Sequence, residues 1–140
     1  MCRIALLIYS DMVMFPLPTV TGTKARLAKE IRRCFELLEP SVITGKLSHF
    51  LAWAILLGGI ASMLSGSSDR GWFLNQFALS ICSQYADLPG LKPILHGYIW
   101  CDFLMDEKAH CFWNEASVVG GVHPRLDGVR CDQNDILYLS

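Results

Sequence analysis

The stretch Trp53-Ala-Ile-Leu-Leu-Gly-Gly-Ile-Ala61 lies within residues 47–68, a run that contains no Asp, Glu, Lys or Arg. A helix over residues 46–65 would be apolar almost all around its circumference, which is typical of a helix enclosed by other helices. Residues 47–68 are also long enough to cross a bilayer. Because serine, histidine and glycine dilute the apolar positions, we predict a central core helix. A small membrane protein anchored by residues 47–65 is the alternative.

The same segment carries a face of small residues. Ala54, Gly58 and Ser62 recur at every fourth position, so they would lie on one side of a helix. Gly58 and Gly59 each cost about 1 kcal/mol of helix propensity relative to alanine, and close packing is the usual compensation. We therefore predict that another backbone approaches this face closely.

Other segments also show helical periodicity. Residues 24–39 form the clearest amphipathic helix, and Pro40 is expected to end it. Its predicted apolar stripe is Leu27, Ile31, Cys34, Phe35 and Leu38. Within residues 4–18 we predict a short apolar helix that ends at Phe15-Pro16. Further helices are predicted over residues 72–85, 92–104 and 111–117, with a break at 88–90, a loop at 106–110 and an irregular tail at 118–140. No segment alternates as a strand would, so we predict one all-α, bundle-like domain over residues 1–140 in which Trp53 and Phe77 are buried.

Composition narrows the class of function. The chain is 52% hydrophobic and has a formal net charge of −1, which excludes a disordered chain. It also lacks the overall basic charge of an electrostatic nucleic-acid binder. The local basic cluster within residues 24–33 is interleaved with Glu30, Glu36 and Glu39, so we interpret it as a solvated helix face. Direct binding of nucleic acid by this chain is not expected.

No motif predicts a catalytic, cofactor or metal site. The six cysteines include no Cys-x-x-Cys pair, which structural zinc sites use. A metal site could be drawn from Cys101, Cys111, His96 and His110, but ordinary reduced thiols fit the spacing better. Neither Gly-x-Ser-x-Gly nor His-Glu-x-x-His occurs. We therefore predict no catalytic, cofactor-binding or metal-binding residue, no cofactor and no enzymatic activity.

A charged turn precedes an aromatic pair in Asp69-Arg-Gly-Trp-Phe73. Asp69 and Arg70 could contact a ligand. The preferred interpretation is a helix cap in which an arginine stacks on a tryptophan.

Four segments in order carry a family resemblance. They are Trp53–Ala61, Asp69–Phe73, Ile99-Trp-Cys-Asp-Phe103 and Phe112-Trp-Asn-Glu115. Together, over residues 47–116, they resemble the C-terminal half of the fungal-specific transcription factor regulatory domain. In fungal zinc-cluster regulators this helical region follows the binuclear, six-cysteine cluster. Tyr9-Ser-Asp-Met-Val-Met-Phe-Pro16 is similar to the opening of that domain, with one extra residue before Phe-Pro.

The resemblance implies a nuclear regulator of transcription that acts through protein partners, either the transcription machinery or a DNA-binding regulator. The chain lacks the paired Cys-x-x-Cys cluster, so DNA binding does not carry over. The region between residues 16 and 47 is much shorter than in the family, so an incomplete, truncated domain is expected. A helical ligand-binding protein or enzyme without a recognisable motif is a further alternative.

Overall fold

The computed structural model describes residues 1–43 and 47–121. Over these residues the chain forms helices and no strand, so the all-α, bundle-like prediction is confirmed. The α-helices are α1 (Cys2–Tyr9), α2 (Thr23–Glu36), α3 (Pro40–Ile43), α4 (Ser48–Ser65), α5 (Arg70–Phe77), α6 (Leu88–His96) and α7 (Asp102–Val119). Two π-helical segments, Ser10–Met14 and Ala78–Cys82, continue α1 and α5, and a 3₁₀ turn covers Thr19–Thr21.

Helix α4 is the centre of the core, as its all-round apolar sequence predicts. Every residue from Leu51 to Leu64 is buried, and α1, α2, α5 and α7 pack around the helix. Burial of each large aliphatic side chain contributes roughly 1.5–3 kcal/mol. The predictions that Trp53 and Phe77 are buried are confirmed, since they are 2% and 0% exposed.

Length and composition alone would also allow α4 to cross a membrane. It is the one helix in the described part of the chain that meets this test, and 78% of its apolar window is buried inside the bundle. A buried core helix of a soluble protein meets the same test, so the burial favours a core helix.

Aromatic rings, rather than another backbone, occupy the space beside the two glycines of α4. A Cβ added to Gly58 would lie 2.6 Å from Cε1 of Phe73, and one added to Gly59 would lie 2.3 Å from Cζ of Phe112. The predicted close approach exists at Gly58, where the nearest atoms belong to side chains rather than to another backbone. Phe73 and Phe112 are both fully buried, and a flat ring fits against a helix that has no side chain at that point.

The buried face of α2 is rotated from the predicted stripe. Its buried residues are Lys24, Ala28, Ile31 and Phe35. The predicted members Leu27, Cys34 and Leu38 are only partly buried. The helix ends at Glu36, and Pro40 begins α3 rather than ending α2. Proline suits the first turn of a helix because its missing N–H is not needed there.

The boundaries of the last two helices differ most from the sequence predictions. Helix α6 begins at Leu88, inside the predicted break, because the Asp87 carboxylate accepts a hydrogen bond of 2.9 Å from the Gly90 amide and caps the helix. It ends at His96, so the predicted helix over 92–104 is wrong.

Helix α7 runs through the segment predicted as a loop at 106–110, and it extends the short helix predicted at 111–117 in both directions. One face of α7 is fully buried, and it consists of Met105, Ala109, Phe112 and Ala116. Packing of this face stabilises the helix through residues 106–108, although these three residues are charged. Of the irregular tail predicted at 118–140, residues 122–140 lie outside the described residues.

Candidate functional site

Residues Gly97–Cys101 connect α6 to α7 and are held against α4. The indole Nε1 of Trp53 donates a hydrogen bond of 3.0 Å to the carbonyl of Ile99. The ring of Tyr98 stacks on the same indole, with the centroids 5.4 Å apart and the planes 20° from parallel. The connection is therefore fixed in place although it has no regular secondary structure.

Four apolar side chains project from this region into solvent. Phe103 is 93% exposed and Ile99 is 50% exposed, with Leu104 and Tyr98 at 39% and 36%. We name Tyr98, Ile99, Phe103 and Leu104 the junction surface. Single exposed apolar residues are ordinary, but several together are typical of a surface that binds a protein partner.

A group of paired charges borders the junction surface. Lys92 Nζ lies 3.1 Å from Asp102 Oδ1 and also bonds to Asp106. His96 Nε2 lies 2.9 Å from Asp102 Oδ1, and the indole of Trp100 donates to Asp106 Oδ1 at 3.0 Å. Each carboxylate therefore has at least two partners.

These pairs shift two pKa values. The hydrogen bond to Asp106 is the main cause that raises the pKa of Lys92. The hydrogen bond from His96, followed by that from Lys92, lowers the pKa of Asp102. Both shifts favour the charged forms of Lys92 and Asp102, so this pair holds the start of α7 beside α6.

Asp69 and Arg70 do not form the predicted cap and stack. The Asp69 side chain does not cap α5; it accepts a hydrogen bond of 2.8 Å from Arg32 Nη1. The guanidinium over Trp72 also belongs to Arg32, at 5.4 Å from the ring centroid. Arg70 instead pairs with Glu115 of α7. The prediction had the correct kinds of contact but assigned them to the wrong partners, because Arg32 is distant in sequence.

Intramolecular ion pairs occupy much of the basic cluster. Arg33 pairs with Glu30 and Arg32 with Glu36, which agrees with the predicted solvated face. Lys24 departs from that prediction, since it is 4% exposed and its Nζ lies 3.1 Å from Asp11 Oδ2. The sequence did contain a signal for this pair: Asp11 interrupts an apolar run, and a carboxylate in such a run needs a partner when it is buried.

The residues from which a metal site could be drawn do not come together. Within residues 1–43 and 47–121 no group of three or more His, Cys, Asp or Glu side chains could hold a metal ion. His110 lies on the exposed side of α7 and Cys111 on the buried side, although the two are adjacent in sequence. Burial raises the pKa of the Cys82 thiol, which makes it a poor nucleophile at neutral pH.

A small cleft lies between the end of α2, the start of α4 and the second π-helical segment. Its volume is about 40 Å³, and its walls include Phe35, Ser48, Leu51, Ile81 and Tyr85. Sites for cofactors or drug-sized ligands usually measure about 300–1,000 Å³. This cleft therefore has room only for water or a very small molecule.

The segments that carry the family resemblance meet around α4. Gly58 faces Phe73, Gly59 faces Phe112, and Trp53 bonds to Ile99. Residues that are far apart in the sequence thus form one packing unit. No protein-family model, curated protein or solved structure matches the chain.

Proposed function

We propose that this chain is a helical protein-interaction module that regulates transcription through a partner and does not itself bind DNA. The partner would be a DNA-binding regulator or a component of the transcription machinery, and the setting would be the nucleus. The proposal takes its biological context from the resemblance over residues 47–116. Its structural support is the junction surface, which has two exposed apolar side chains on the fixed connection and two in the first turn of α7.

The position of the junction surface suits recognition of a protein. The Trp53–Ile99 hydrogen bond and the Tyr98 stack fix the connection before any partner arrives, so little conformational entropy would be lost on binding. Phe103 is an exposed aromatic side chain of the kind that provides much of the binding energy at protein interfaces. The paired charges of Lys92, Asp102 and Asp106 would form a polar rim beside it.

The charge distribution supports a role without DNA contact. Affinity for DNA comes largely from lysine and arginine side chains that neutralise phosphates. Here Lys24, Arg32, Arg33, Arg70 and Lys92 already face carboxylates of the same chain. A phosphate would have to compete with each of these partners, and the formal net charge of the whole chain is −1.

The membrane alternative would require α4 to leave the core. Fourteen consecutive residues of α4, Leu51 to Leu64, are buried among other helices. A protein anchored by this helix would expose the apolar faces of α2, α5 and α7 that now cover it. A core helix therefore accounts for the packing better than an anchor does.

A reporter assay tests the proposal. The full chain is fused to an unrelated DNA-binding domain, and transcription from a promoter with the matching site is measured. We expect the fusion to change transcription and Phe103→Ser to reduce that change by at least about tenfold, as loss of an aromatic anchor worth about 2 kcal/mol would. Leu79→Ser is the matched control, because Leu79 is a 66% exposed helical side chain outside the junction surface.

Three outcomes would contradict the proposal. The first is an inert fusion that is present at normal levels in the nucleus. The second is an equal effect of Phe103→Ser and Leu79→Ser, which would mean that the junction surface is not the contact. The third is binding of the isolated chain to promoter DNA at near-physiological salt, which would contradict the indirect role.

A further inference from the structure

The segment between α1 and α2 exposes a run of apolar side chains, and we name residues 14–20 the apolar loop. Its exposed apolar members are Met14, Phe15, Pro16, Leu17, Pro18 and Val20. Phe15 is 72% exposed and Val20 is 92% exposed. Single exposed apolar residues are ordinary, but a contiguous apolar surface is typical of a site that contacts a protein or a membrane.

No charged side chain interrupts this part of the described surface. Residues 4–25 contain two charged residues, Asp11 and Lys24, and both are buried. They pair with each other, since Lys24 Nζ lies 3.1 Å from Asp11 Oδ2. Between Arg3 and Arg26 the chain therefore presents only uncharged groups to solvent.

The buried ion pair fixes the middle of the apolar loop. Asp11 Oδ1 accepts a hydrogen bond of 3.0 Å from the Leu17 amide, and Lys24 Nζ donates one of 2.9 Å to the Leu17 carbonyl. The Phe15 amide donates to the carbonyl of Ser10 at 2.9 Å. The two prolines restrict the backbone further, because their rings fix φ. The loop is thus held in place while its side chains are exposed, so binding would cost little conformational entropy.

The charges next to the apolar loop are positive. Arg26 lies in the first turn of α2, where its amide donates a hydrogen bond of 3.0 Å to the carbonyl of Gly22, two residues after the loop. Lys29 follows three residues later on the same side of the helix. Both side chains are exposed, and neither forms an ion pair within the described residues, whereas Arg32 and Arg33 pair with carboxylates of α2. An anionic surface that contacts the loop would therefore meet two available cations.

These features fit the surface of a membrane that contains anionic lipids. The apolar tips of a fixed loop can enter the boundary between headgroups and acyl chains. Lysine and arginine beside them attract the anionic headgroups, and each contributes about fivefold to the affinity. A protein partner would have to supply both an apolar groove and an acidic rim of matching shape. An anionic bilayer supplies apolar contact and negative charge over its whole surface.

We propose that the apolar loop, together with Arg26 and Lys29, binds the surface of an anionic membrane. Phe15 and Val20 would enter the acyl-chain boundary, and the two cations would contact the lipid headgroups. Helix α4 stays in the core, so this contact is peripheral and differs from an anchor formed by residues 47–65. The site uses no residue of the junction surface and does not rest on the proposed role in transcription.

Sedimentation of the full chain with lipid vesicles tests the proposal. Vesicles of phosphatidylcholine mixed with phosphatidylserine are compared with vesicles of phosphatidylcholine alone. We expect the chain to bind the anionic vesicles and to bind the neutral ones much more weakly. Binding to the anionic vesicles should weaken as the salt concentration rises, because salt screens the attraction between exposed charges.

Substitutions of Phe15 test the apolar contact. Phe15→Ser should weaken binding to the anionic vesicles by at least about tenfold, because burial of the phenylalanine ring is lost. Phe15→Trp should bind at least as well as the wild type, since tryptophan favours the membrane interface. Leu37→Ser is the matched control and should bind as the wild type does. Leu37 is 85% exposed and lies at the end of α2 opposite to the apolar loop.

The double variant Arg26→Gln with Lys29→Gln tests the charge contact. We expect it to bind the anionic vesicles about 25-fold more weakly, which is the combined effect of two cations. Its binding to the neutral vesicles should not change. Thermal unfolding of each variant shows whether the fold is kept.

The proposal is overturned if the chain does not sediment with the anionic vesicles, and the apolar loop would then be a surface for a protein. It is also overturned if Phe15→Ser binds as well as Leu37→Ser, or if neutral vesicles bind the chain as tightly as anionic ones. Should Phe15→Ser fold poorly, the double charge variant decides, and unchanged binding by that variant would contradict the site.

Discussion

The indole nitrogen of Trp53, in the second turn of α4, donates a hydrogen bond of 3.0 Å to the carbonyl of Ile99 in the connection between α6 and α7. This bond joins the buried central helix to the connection that carries part of the junction surface. It satisfies a backbone carbonyl outside any helix, and the Tyr98 ring stacks on the same indole. The position of the junction surface therefore depends on a residue of the core.

Trp53→Phe should increase the local mobility of the junction surface by more than the general loss of protein stability explains. The substitution removes the hydrogen bond and leaves a small void, so we expect the free energy of unfolding to fall by about 1–3 kcal/mol. Hydrogen–deuterium exchange should increase selectively at the amides of residues 98–104. Trp72→Phe is the control, since Trp72 contacts Phe35 and Arg32 rather than this connection. Equal exchange changes in both variants would contradict the coupling.

Gly59→Ala should destabilise the protein even though alanine favours helix. The added methyl would lie 2.3 Å from the Phe112 ring, which is fully buried and packs edge-on against Phe77. We expect a loss of about 1–3 kcal/mol from overpacking, which outweighs the gain of about 1 kcal/mol in helix propensity. Urea denaturation measures the difference.

The control for Gly59 is Gly71→Ala. Gly71 also lies within a helix, α5, but an added Cβ would meet no atom within 4 Å. Only the propensity effect then applies, so this variant should gain up to about 1 kcal/mol. If both alanine variants changed stability in the same direction, the contact with Phe112 would not be the cause.

The central helix could be predicted from the sequence because its signal is local. Residues 48–65 are apolar on every side, and no other packing satisfies such a helix in a folded domain. The junction between α6 and α7 could not be predicted in the same way. Asp87 caps α6 from outside the helix, and the Trp53 bond spans 46 residues, so neither contact produces a periodic pattern.

The partners of the buried charged residues could not be predicted from the sequence either. The position of Asp11 within an apolar run indicated that it needs a partner, but the sequence could not indicate which lysine that would be. The basic cluster that contains Lys24 was predicted to be a solvated helix face, and Lys108 was predicted to lie in a loop. In the structure both lysines are buried, at 4% and 8% exposure.

Asp102 should make stability depend on pH in the acid range. Its pKa is lowered in the folded protein by His96 and then by Lys92. A carboxylate whose folded pKa lies below its unfolded value of about 3.9 stabilises the protein above that value, and the contribution is lost as pH falls through the folded pKa. Asp102→Asn should thus lower stability at pH 7, and the difference from the wild type should shrink as pH falls below the unfolded pKa and disappear once Asp102 is protonated in the folded protein. A difference that is constant with pH would show that the side chain acts through packing alone.

Removing one partner of the Asp11–Lys24 pair should cost more than removing both charges. Lys24→Met leaves the Asp11 carboxylate buried, at 6% exposure, without its cation. Breaking a buried pair in this way typically costs about 3–5 kcal/mol.

The double variant Asp11→Asn with Lys24→Met removes both charges, and Asn Oδ1 can still accept the hydrogen bond from the Leu17 amide. We expect it to unfold within about 1–2 kcal/mol of the wild type, because replacing a buried pair with neutral groups is often nearly neutral. Urea denaturation of the single and double variants at pH 7 compares them. A double variant as unstable as Lys24→Met would show that the Lys24 bond to the Leu17 carbonyl, rather than the ion pair, holds the start of α2 against the segment after α1.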